Sequence, residues 1–445
     1  MKRFTLFILC VLLLYGCQPT PSTETVVNKG DNRLEMAVKE RAVPPYTYEA
    51  PAHWAETISM KTITIEIDAD VMMPDTDLHP IRTIQNRAFT SEDILRVLSA
   101  CCGQQLELRE NRMSSGEITE DIRFVMRGDY AGEDDETGKV IWLQSEDAEE
   151  RLAELRDQLA ACPTEDSFIP LNAKDLTLDG MPNVIRNNDG QLWYAKCTSQ
   201  ALNVTVTRNP YLQDESVVLH GGFAGEPLGQ GLTAIKISEE DARKAGMVFL
   251  EQLGLSDSFG IGEIKKARLA HPVPTETGYE VLSEGYTIRF APTCGIYLPF
   301  PSMFYSENMF FKHEDEYAYV QRLKTDEFEV YLSENGIEAI SWYNPTETVL
   351  IANENVSLLS FDKVQERIRN QLHYGYAWTD ENSNGLTTLH VNKLILSCTV
   401  TRMEGITNEM LLVPTWIVLY NDNRSENALF KDSILLINAI DGSIQ

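Results

Sequence analysis

The fold is decided by a short stretch, Ile237-Ser238-Glu239-Glu240-Asp241-Ala242, which has the pattern of a helix start. Ser238 is followed three residues later by Asp241, and a hydroxyl side chain with an acid at this spacing satisfies free amides of a first helical turn. Apolar residues then recur every three or four positions as far as Leu253, which predicts a helix with one buried face. Strands are predicted next at 261–270 and 278–290, and a hairpin at 329–342 around Asn335-Gly336, a dipeptide typical of tight turns.

The same order of elements recurs further along the chain. Leu359-Ser360-Phe361-Asp362-Lys363-Val364 opens a second predicted helix, which runs through Leu372. Strands are predicted at 390–402 and 411–420, and a hairpin at 434–444 around Asp441-Gly442. Helices of this kind need an apolar surface to cover, so we expect an α+β fold in which helices pack on antiparallel sheets.

The first half of the chain indicates a separate α+β domain over 51–230. Its predicted elements are a strand at 58–68, a helix from Thr90, a strand at 118–127, a hairpin turn at 133–136, a helix at 145–161, and a strand pair at 192–196 and 202–207. The glycine-rich residues 220–231 are interpreted as a linker, with a ligand-binding loop as the alternative.

A family resemblance rests on the second half. The helix start Ser238-x-Glu240-Asp241-Ala242 and the strand endings at 412–418 and 436–442 resemble PepSY domains, extracytoplasmic modules of peptidase propeptides and membrane-bound regulators. The resemblance covers 236–345, with an aromatic insert, and 355–445. It implies a helix on a small antiparallel sheet, a role in restraining peptidases or in sensing, and no catalytic residues. The whole chain also resembles uncharacterised lipoproteins of clostridia and other Gram-positive bacteria.

The first residues indicate export and a lipid anchor. Lys2 and Arg3 precede an apolar run at 4–14, which is shorter than the roughly 20 residues of a membrane-spanning helix and is typical of a signal peptide. Leu14-Tyr15-Gly16-Cys17 resembles the bacterial lipobox, although Tyr15 replaces the usual smaller residue. We expect a signal peptide at 1–16, lipid (palmitate) on Cys17, a flexible tether at 17–50, and a position on the outer face of the cell membrane. A plain secretory signal is the alternative.

Charge and cysteine content narrow the possible functions. With 67 acidic against 38 basic residues the net charge is −29, which argues against binding of nucleic acid. Hydrophobic residues make up 43% of the chain and charged residues 24%, as in ordinary globular proteins. The eight cysteines form no CxxC pair. Outside the cytoplasm those after Cys17 are able to form disulfides, but reduced, buried thiols are the expectation.

No motif in the sequence predicts catalysis. The chain has no HExxH, no GxSxG elbow and no phosphate-binding loop, so we expect no enzyme activity, no cofactor and no metal centre. The acidic stretches at 129–136 and 313–316 do not have the ligand spacing of a calcium loop, although weak surface binding of Ca²⁺ stays open.

An aromatic stretch at 297–311 is the candidate binding surface. Prolines there block regular structure, and aromatic and methionine side chains are enriched where protein interfaces are anchored. The predicted residues are Phe300, Phe304, Tyr305, Phe310, Phe311 and Trp342. The alternative interpretation is that these side chains are buried and fill the core between the two repeats.

The sequence therefore predicts a membrane-anchored binding or regulatory module whose partner is an envelope protein or peptide. An envelope hydrolase with a site assembled from distant carboxylates, or a structural subunit of a membrane complex, are the alternatives.

Overall fold

The computed structural model describes most of the chain after residue 32. The described residues are 33–60, 63–110, 113–133, 140–143, 145–163, 166–207, 217–219, 232, 234–272, 279–293, 298–299, 310–313, 316–319, 326–376, 388–401, 409–422 and 433–444. The chain divides into two compact units. Unit 1 comprises 1–82, 350–403 and 411–445, and unit 2 comprises 83–349 and 404–410. The two ends of the chain thus share a unit, which differs from the predicted division at 230 and 345.

Unit 1 is built on a mixed sheet with one long helix. Its elements are α1 (Arg33–Lys39), β1 (His53–Ser59), β2 (Thr64–Met72), α6 (Phe361–Tyr376), β20 (Thr388–Thr401), β21 (Glu409–Asp422) and β22 (Ser433–Asn438). Two further strands, β3 (Ile81–Asn86) and β19 (Thr346–Asn353), carry the chain from one unit into the other. The strand order is β1-β2-β20-β21-β3-β19, with β22 also paired to β21. β2 and β20 are parallel, whereas β1–β2, β20–β21 and β21–β22 are antiparallel.

The core of unit 1 follows from two sequence periods. Alternate residues of β2 are buried, from Ile65 to Val71, which is the pattern of a strand with one face on a core. In α6 the buried residues Val364, Ile368 and Leu372 recur every four positions. Phe361 at the start of α6 packs edge-on against Trp416, with ring centroids 5.4 Å apart.

Unit 2 is built on a ten-stranded sheet. Its strands are β4 (Glu107–Arg109), β7 (Phe168–Pro170), β8 (Pro182–Arg186), β9 (Leu192–Cys197), β10 (Ala201–Thr207), β11 (Val217–Leu219), β12 (Phe259–Pro272), β13 (Tyr279–Pro292), β17 (Glu327–Ser333) and β18 (Gly336–Tyr343). The order is β11-β12-β13-β17-β18-β10-β9-β8-β4-β7, and every neighbouring pair is antiparallel. Helices α2 (Ser91–Cys102) and α5 (Glu239–Gln252) contribute to its core. The predicted α+β class is confirmed.

The remaining elements of unit 2 are two helices and several short segments. They are α3 (Ser115–Arg127), α4 (Ala148–Ala161), a 3-10 turn at Ala173–Asp175, and the strands β5 (Asp129–Glu133), β6 (Val140–Leu143), β14 (Leu298–Pro299), β15 (Phe310–His313) and β16 (Glu316–Tyr319). β5 pairs antiparallel with β6, and β15 pairs with β16. β5 ends at Glu133, the first residue of the predicted turn at 133–136, whereas 134–136 lie outside the described residues.

Two sequence predictions in the first half were wrong. Residues 118–127 form helix α3, not a strand, because Ser114 and Glu117 form a capping box and the apolar residues there also fit a helical period. Residues 58–68 do not form one strand, since β1 ends at Ser59 and β2 begins at Thr64, and the two pair antiparallel.

Part of the predicted tether is folded onto unit 1. The amide of Asn355 donates its two N–H groups to the carbonyls of Val43 and Pro44 at 3.1 and 3.0 Å. Tyr48 donates its hydroxyl to the carbonyl of Leu359 at 2.7 Å. Asn353 likewise binds the carbonyls of Ala37 and Glu40, at the end of α1. The description of 17–50 as flexible is therefore wrong for 33–48, because long-range polar contacts compensate for the scarcity of apolar residues.

Candidate functional site

Strand β19 lies at one end of the strand order of its sheet. No further strand among the described residues pairs with its outer edge. The segment is rich in β-branched residues, Thr346-Glu347-Thr348-Val349-Leu350-Ile351, which favour an extended backbone. Residues 347–351 are all exposed, and the exposed fractions of Val349, Leu350 and Ile351 are 41%, 50% and 54%. Three consecutive large apolar residues are thus in contact with solvent on an unpaired edge.

The start of β19 is fixed by a buried carboxylate. Asp326 accepts hydrogen bonds from the backbone N–H and the hydroxyl of Thr346, at 2.7 and 2.8 Å. Its other oxygen accepts from the indole N–H of Trp342 at 2.8 Å. Burial raises the pKa of Asp326 to about 7, although these three bonds act to lower it. The carboxylate therefore holds the turn before the strand in place.

The end of β19 is fixed by two asparagines. Asn353, the last residue of the strand, donates its side-chain N–H groups to the carbonyls of Ala37 and Glu40. Its side-chain oxygen accepts a hydrogen bond from the backbone N–H of Asn355 at 3.0 Å. Asn355 in turn accepts from the backbone N–H of His79 at 2.7 Å. Each end of the strand is therefore held by buried side chains of its own unit, Asp326 in unit 2 and Asn353 in unit 1.

The charge around β19 is uniformly negative along the chain. Between Lys324 and Lys363 the sequence contains no lysine or arginine. Glu347 and Glu354 are exposed at the two ends of the strand. Glu347 accepts a hydrogen bond from the Gln85 side chain at 2.7 Å, so its partner is neutral. β19 and the residue that follows it therefore carry apolar and acidic side chains, whereas the neighbouring β3 contains Arg82 and is followed by Arg87, which is paired with Asp93.

The opposite edge of the same sheet is built differently. In β1 buried and more exposed residues alternate, and Trp54 is covered. Glu56 accepts from Arg369 of α6 at 2.9 Å, and His53 lies 2.9 Å from Asp68 of β2. Charged and paired side chains are one way in which natural sheets protect an edge from further pairing. β19 contains no lysine or proline, and Glu347 is the one charged residue within it.

Two buried carboxylates elsewhere in unit 2 are hydrogen-bonded or ion-paired within the fold. Glu338 is buried and accepts hydrogen bonds from Ser333, from Ser283 at 2.7 Å and from Asn335 at 3.3 Å. Glu117 lies 2.7 Å from Arg109 and accepts from the hydroxyl of Tyr194 at 2.9 Å. Each carboxylate is thus satisfied by neighbouring strands or by a helix cap, an arrangement typical of buried polar groups in cores.

No metal centre is found in the described part of the chain. No three histidine, cysteine or acidic side chains among the described residues converge as metal ligands would. An open depression of about 470 Å³ lies beside α2 and is lined by polar residues such as Glu92 and Gln104 together with Leu95 and Ala100. Ligand pockets usually enclose their ligand, and this depression is open to solvent, so it is a weaker candidate than β19.

The predicted aromatic surface is only partly described. Phe300, Phe304 and Tyr305 lie outside the described residues, as does the lipidation candidate Cys17. Phe310 and Phe311 belong to β15. Trp342 is only 2% exposed and stacks on Phe328 with ring centroids 4.1 Å apart. Its assignment to a binding surface was wrong, because its position in β18 turns it towards the core.

Five cysteines lie among the described residues, and all five are free thiols. They are Cys101, Cys102, Cys162, Cys197 and Cys398. Burial raises the pKa of Cys197 to about 12, so this thiol stays protonated and unreactive at neutral pH.

The comparisons with known proteins give no function. No family model matches the chain, and no curated protein matches it. A crystal structure of an uncharacterized protein from Eubacterium rectale ATCC 33656 aligns with 94% of this chain and 99% of that chain, at 10% sequence identity and a TM-score of 0.45. Similarity at this level establishes no shared activity. None of the helices in the part of the chain that the structure describes combines the length and apolar character needed to cross a bilayer.

β19 was not among the sequence predictions. A strand whose residues are exposed on both faces has no alternating pattern, and its position in the sheet depends on distant partners. The one local signal was the run of β-branched residues after Asn344-Pro345, where Asn344 has a φ of 51°.

Proposed function

We propose that the protein is a lipid-anchored, extracytoplasmic binding protein with a regulatory role, either sensory or in restraining a peptidase. The observation that carries the proposal is the exposed apolar edge of β19, because an unpaired and unprotected strand edge is a ready template for pairing with another chain. The lipobox-like residues before Cys17, the net charge of −29 and the PepSY-like pattern support it. Binding, not catalysis, is the activity that such a surface supplies.

The anchor is tested by cell fractionation and mass spectrometry. The wild-type protein should be recovered with membranes, with a diacylglyceryl group on Cys17 as its first residue. The Cys17→Ser variant should be recovered as an uncleaved precursor or as unlipidated protein. A wild-type protein with an unmodified amino terminus would contradict the anchor.

Partner binding is tested by photo-crosslinking in cells. A photoreactive amino acid replaces Leu350, and in a matched control it replaces Met247, which is exposed to a similar extent (42%) on helix α5. We expect a discrete adduct from position 350 and none from position 247. Equal labelling from both positions, or none from either, would argue against a partner at β19.

A further inference from the structure

We infer that the edge of β19 binds an extended peptide segment that carries basic and apolar side chains and adds to the sheet as one more strand. This inference rests on the proposed binding function and names the class of partner.

The geometry of the edge requires an extended partner. A strand at the end of a sheet presents a row of backbone N–H and C=O groups, and a second extended chain satisfies them at a spacing of about 4.8 Å. β19 is eight residues long, which is enough for a full ladder with a short peptide. A helix does not supply the same repeating donors and acceptors, because its backbone groups are bonded within the helix.

The exposed side chains require apolar residues on both faces of the partner. Successive residues of a strand point to opposite faces of the sheet. Val349 and Ile351 therefore lie on one face and Leu350 on the other, and all three are more than 40% exposed. A partner strand with apolar residues at consecutive positions would cover them on both faces through cross-strand pairs.

The charge of the edge selects a basic partner. Exposed Glu347 and Glu354 flank the apolar residues, and no lysine or arginine occurs between Lys324 and Lys363. Opposite charges across an interface raise the association rate and reject wrong partners. A second copy of this chain would bring a net charge of −29 and the same negative strand to the interface, so like-charge repulsion disfavours self-pairing.

The experiment uses synthetic peptides and two variants of the full-length protein, a test variant and a matched control. A labelled peptide of about ten residues, with three consecutive valines flanked by lysines on both sides, is titrated with the protein and followed by fluorescence anisotropy. A peptide with the same three valines flanked by glutamates is the charge control. The test variant is Val349→Lys, and the control variant is Val281→Lys, because both valines are 41% exposed on strands.

We expect the lysine peptide to bind at least about tenfold more tightly than the glutamate peptide, a difference typical of charge complementarity. Val349→Lys should weaken its binding by about tenfold or more, and Val281→Lys should leave it unchanged. Hydrogen exchange should show protection of the amides of 346–353 when the lysine peptide is bound.

Three outcomes would overturn the inference. Equal affinity for both peptides would remove the charge argument, and equal affinity of the two variants would place the peptide elsewhere. A wild-type protein that is dimeric, with a monomeric Val349→Lys variant, would assign the edge to a second copy. None of these results bears on lipidation of Cys17, and an adduct from position 350 in cells together with a negative peptide result would leave the proposed function standing without this partner class.

Discussion

Two regions of the molecule begin with the same order of elements and are completed differently. In unit 2 helix α5 is followed by the antiparallel strands β12 and β13, and in unit 1 helix α6 is followed by β20 and β21; each of these strands has 14 residues. The sheet of α5 continues through β17 and β18 to β10, from the first half of the chain. The sheet of α6 instead takes β2 as a parallel neighbour of β20.

The two helices also meet their sheets by different means. Gly246 of α5 lies so close to β13 that a Cβ atom there would be 2.8 Å from Cδ1 of Ile288. In unit 1 the contact between helix and sheet is made by large rings, Phe361 against Trp416. A close approach through glycine and a contact filled by aromatic rings are two solutions for the same local pattern. A repeated sequence pattern thus fixes the order of elements but not the sheet that completes them.

The largest expected effect is the loss of a central tryptophan from either region. Trp416→Ala in unit 1 and Trp342→Ala in unit 2 each remove a side chain that is at most 2% exposed, so each should lower the free energy of unfolding by about 3–5 kcal/mol. Urea unfolding measures the change. Leu350→Ala, at an exposed position, is the control and should change it by less than about 0.5 kcal/mol. A small effect of Trp416→Ala would mean that aromatic packing does not stabilise unit 1.

The close approach of α5 predicts a second effect. Gly246→Leu should lower the free energy of unfolding by about 2 kcal/mol, because the new side chain would be forced against Ile288. Thermal unfolding is a suitable measurement. A neutral result would show that α5 moves away from β13 without penalty, and the comparison with α6 would lose its basis.

The two units should respond to pH in opposite directions. Burial raises the pKa of Asp326 in unit 2 from 3.8 to about 7. Between these two pH values the folded state binds more protons than the unfolded state. The stability therefore falls as the pH rises from about 4 to 7. Burial lowers the pKa of His79 in unit 1 to about 4 from 6.5, so the folded state binds fewer protons, and stability falls as pH drops from 6.5 to 4. Each slope should reach at most about 1.4 kcal/mol per pH unit.

Two single variants separate these contributions. Asp326→Asn should abolish the loss of stability as the pH rises towards 7. His79→Gln should abolish the loss of stability as the pH falls towards 4. Each is measured by urea unfolding at several pH values. Slopes that are unchanged in both variants would show that other groups govern the pH dependence.

The smallest expected effect has the opposite sign. Gly375 lies in the last turn of α6, and nothing lies within 4 Å of a Cβ atom placed there. Gly375→Ala should therefore raise the free energy of unfolding by about 0.5–1 kcal/mol, since alanine restricts the unfolded chain and favours the helix. A destabilising result would mean that the end of α6 needs the freedom of glycine.

Local signals in the sequence predicted the elements well where neighbouring residues interact. Thr90 and Asp93 form a capping box at the start of α2, where a helix was predicted, and Ser238 accepts a hydrogen bond from the backbone N–H of Asp241 at 3.1 Å. The turn at Asn335-Gly336 joins β17 to β18, with Gly336 at a φ of 96°. Caps and turns depend on contacts over three or four residues, so the sequence by itself determined them.

Only the tertiary structure decided which strands meet and which edge stays open. The parallel pairing of β2 with β20 and the docking of 43–48 on 355–359 join residues that lie far apart in the chain. The burial of Trp342 depends on such long-range contacts. The exposed edge of β19 follows from its place at the end of the strand order. Such features depend on burial shared among distant segments, and no local pattern encodes them because each segment fits more than one partner.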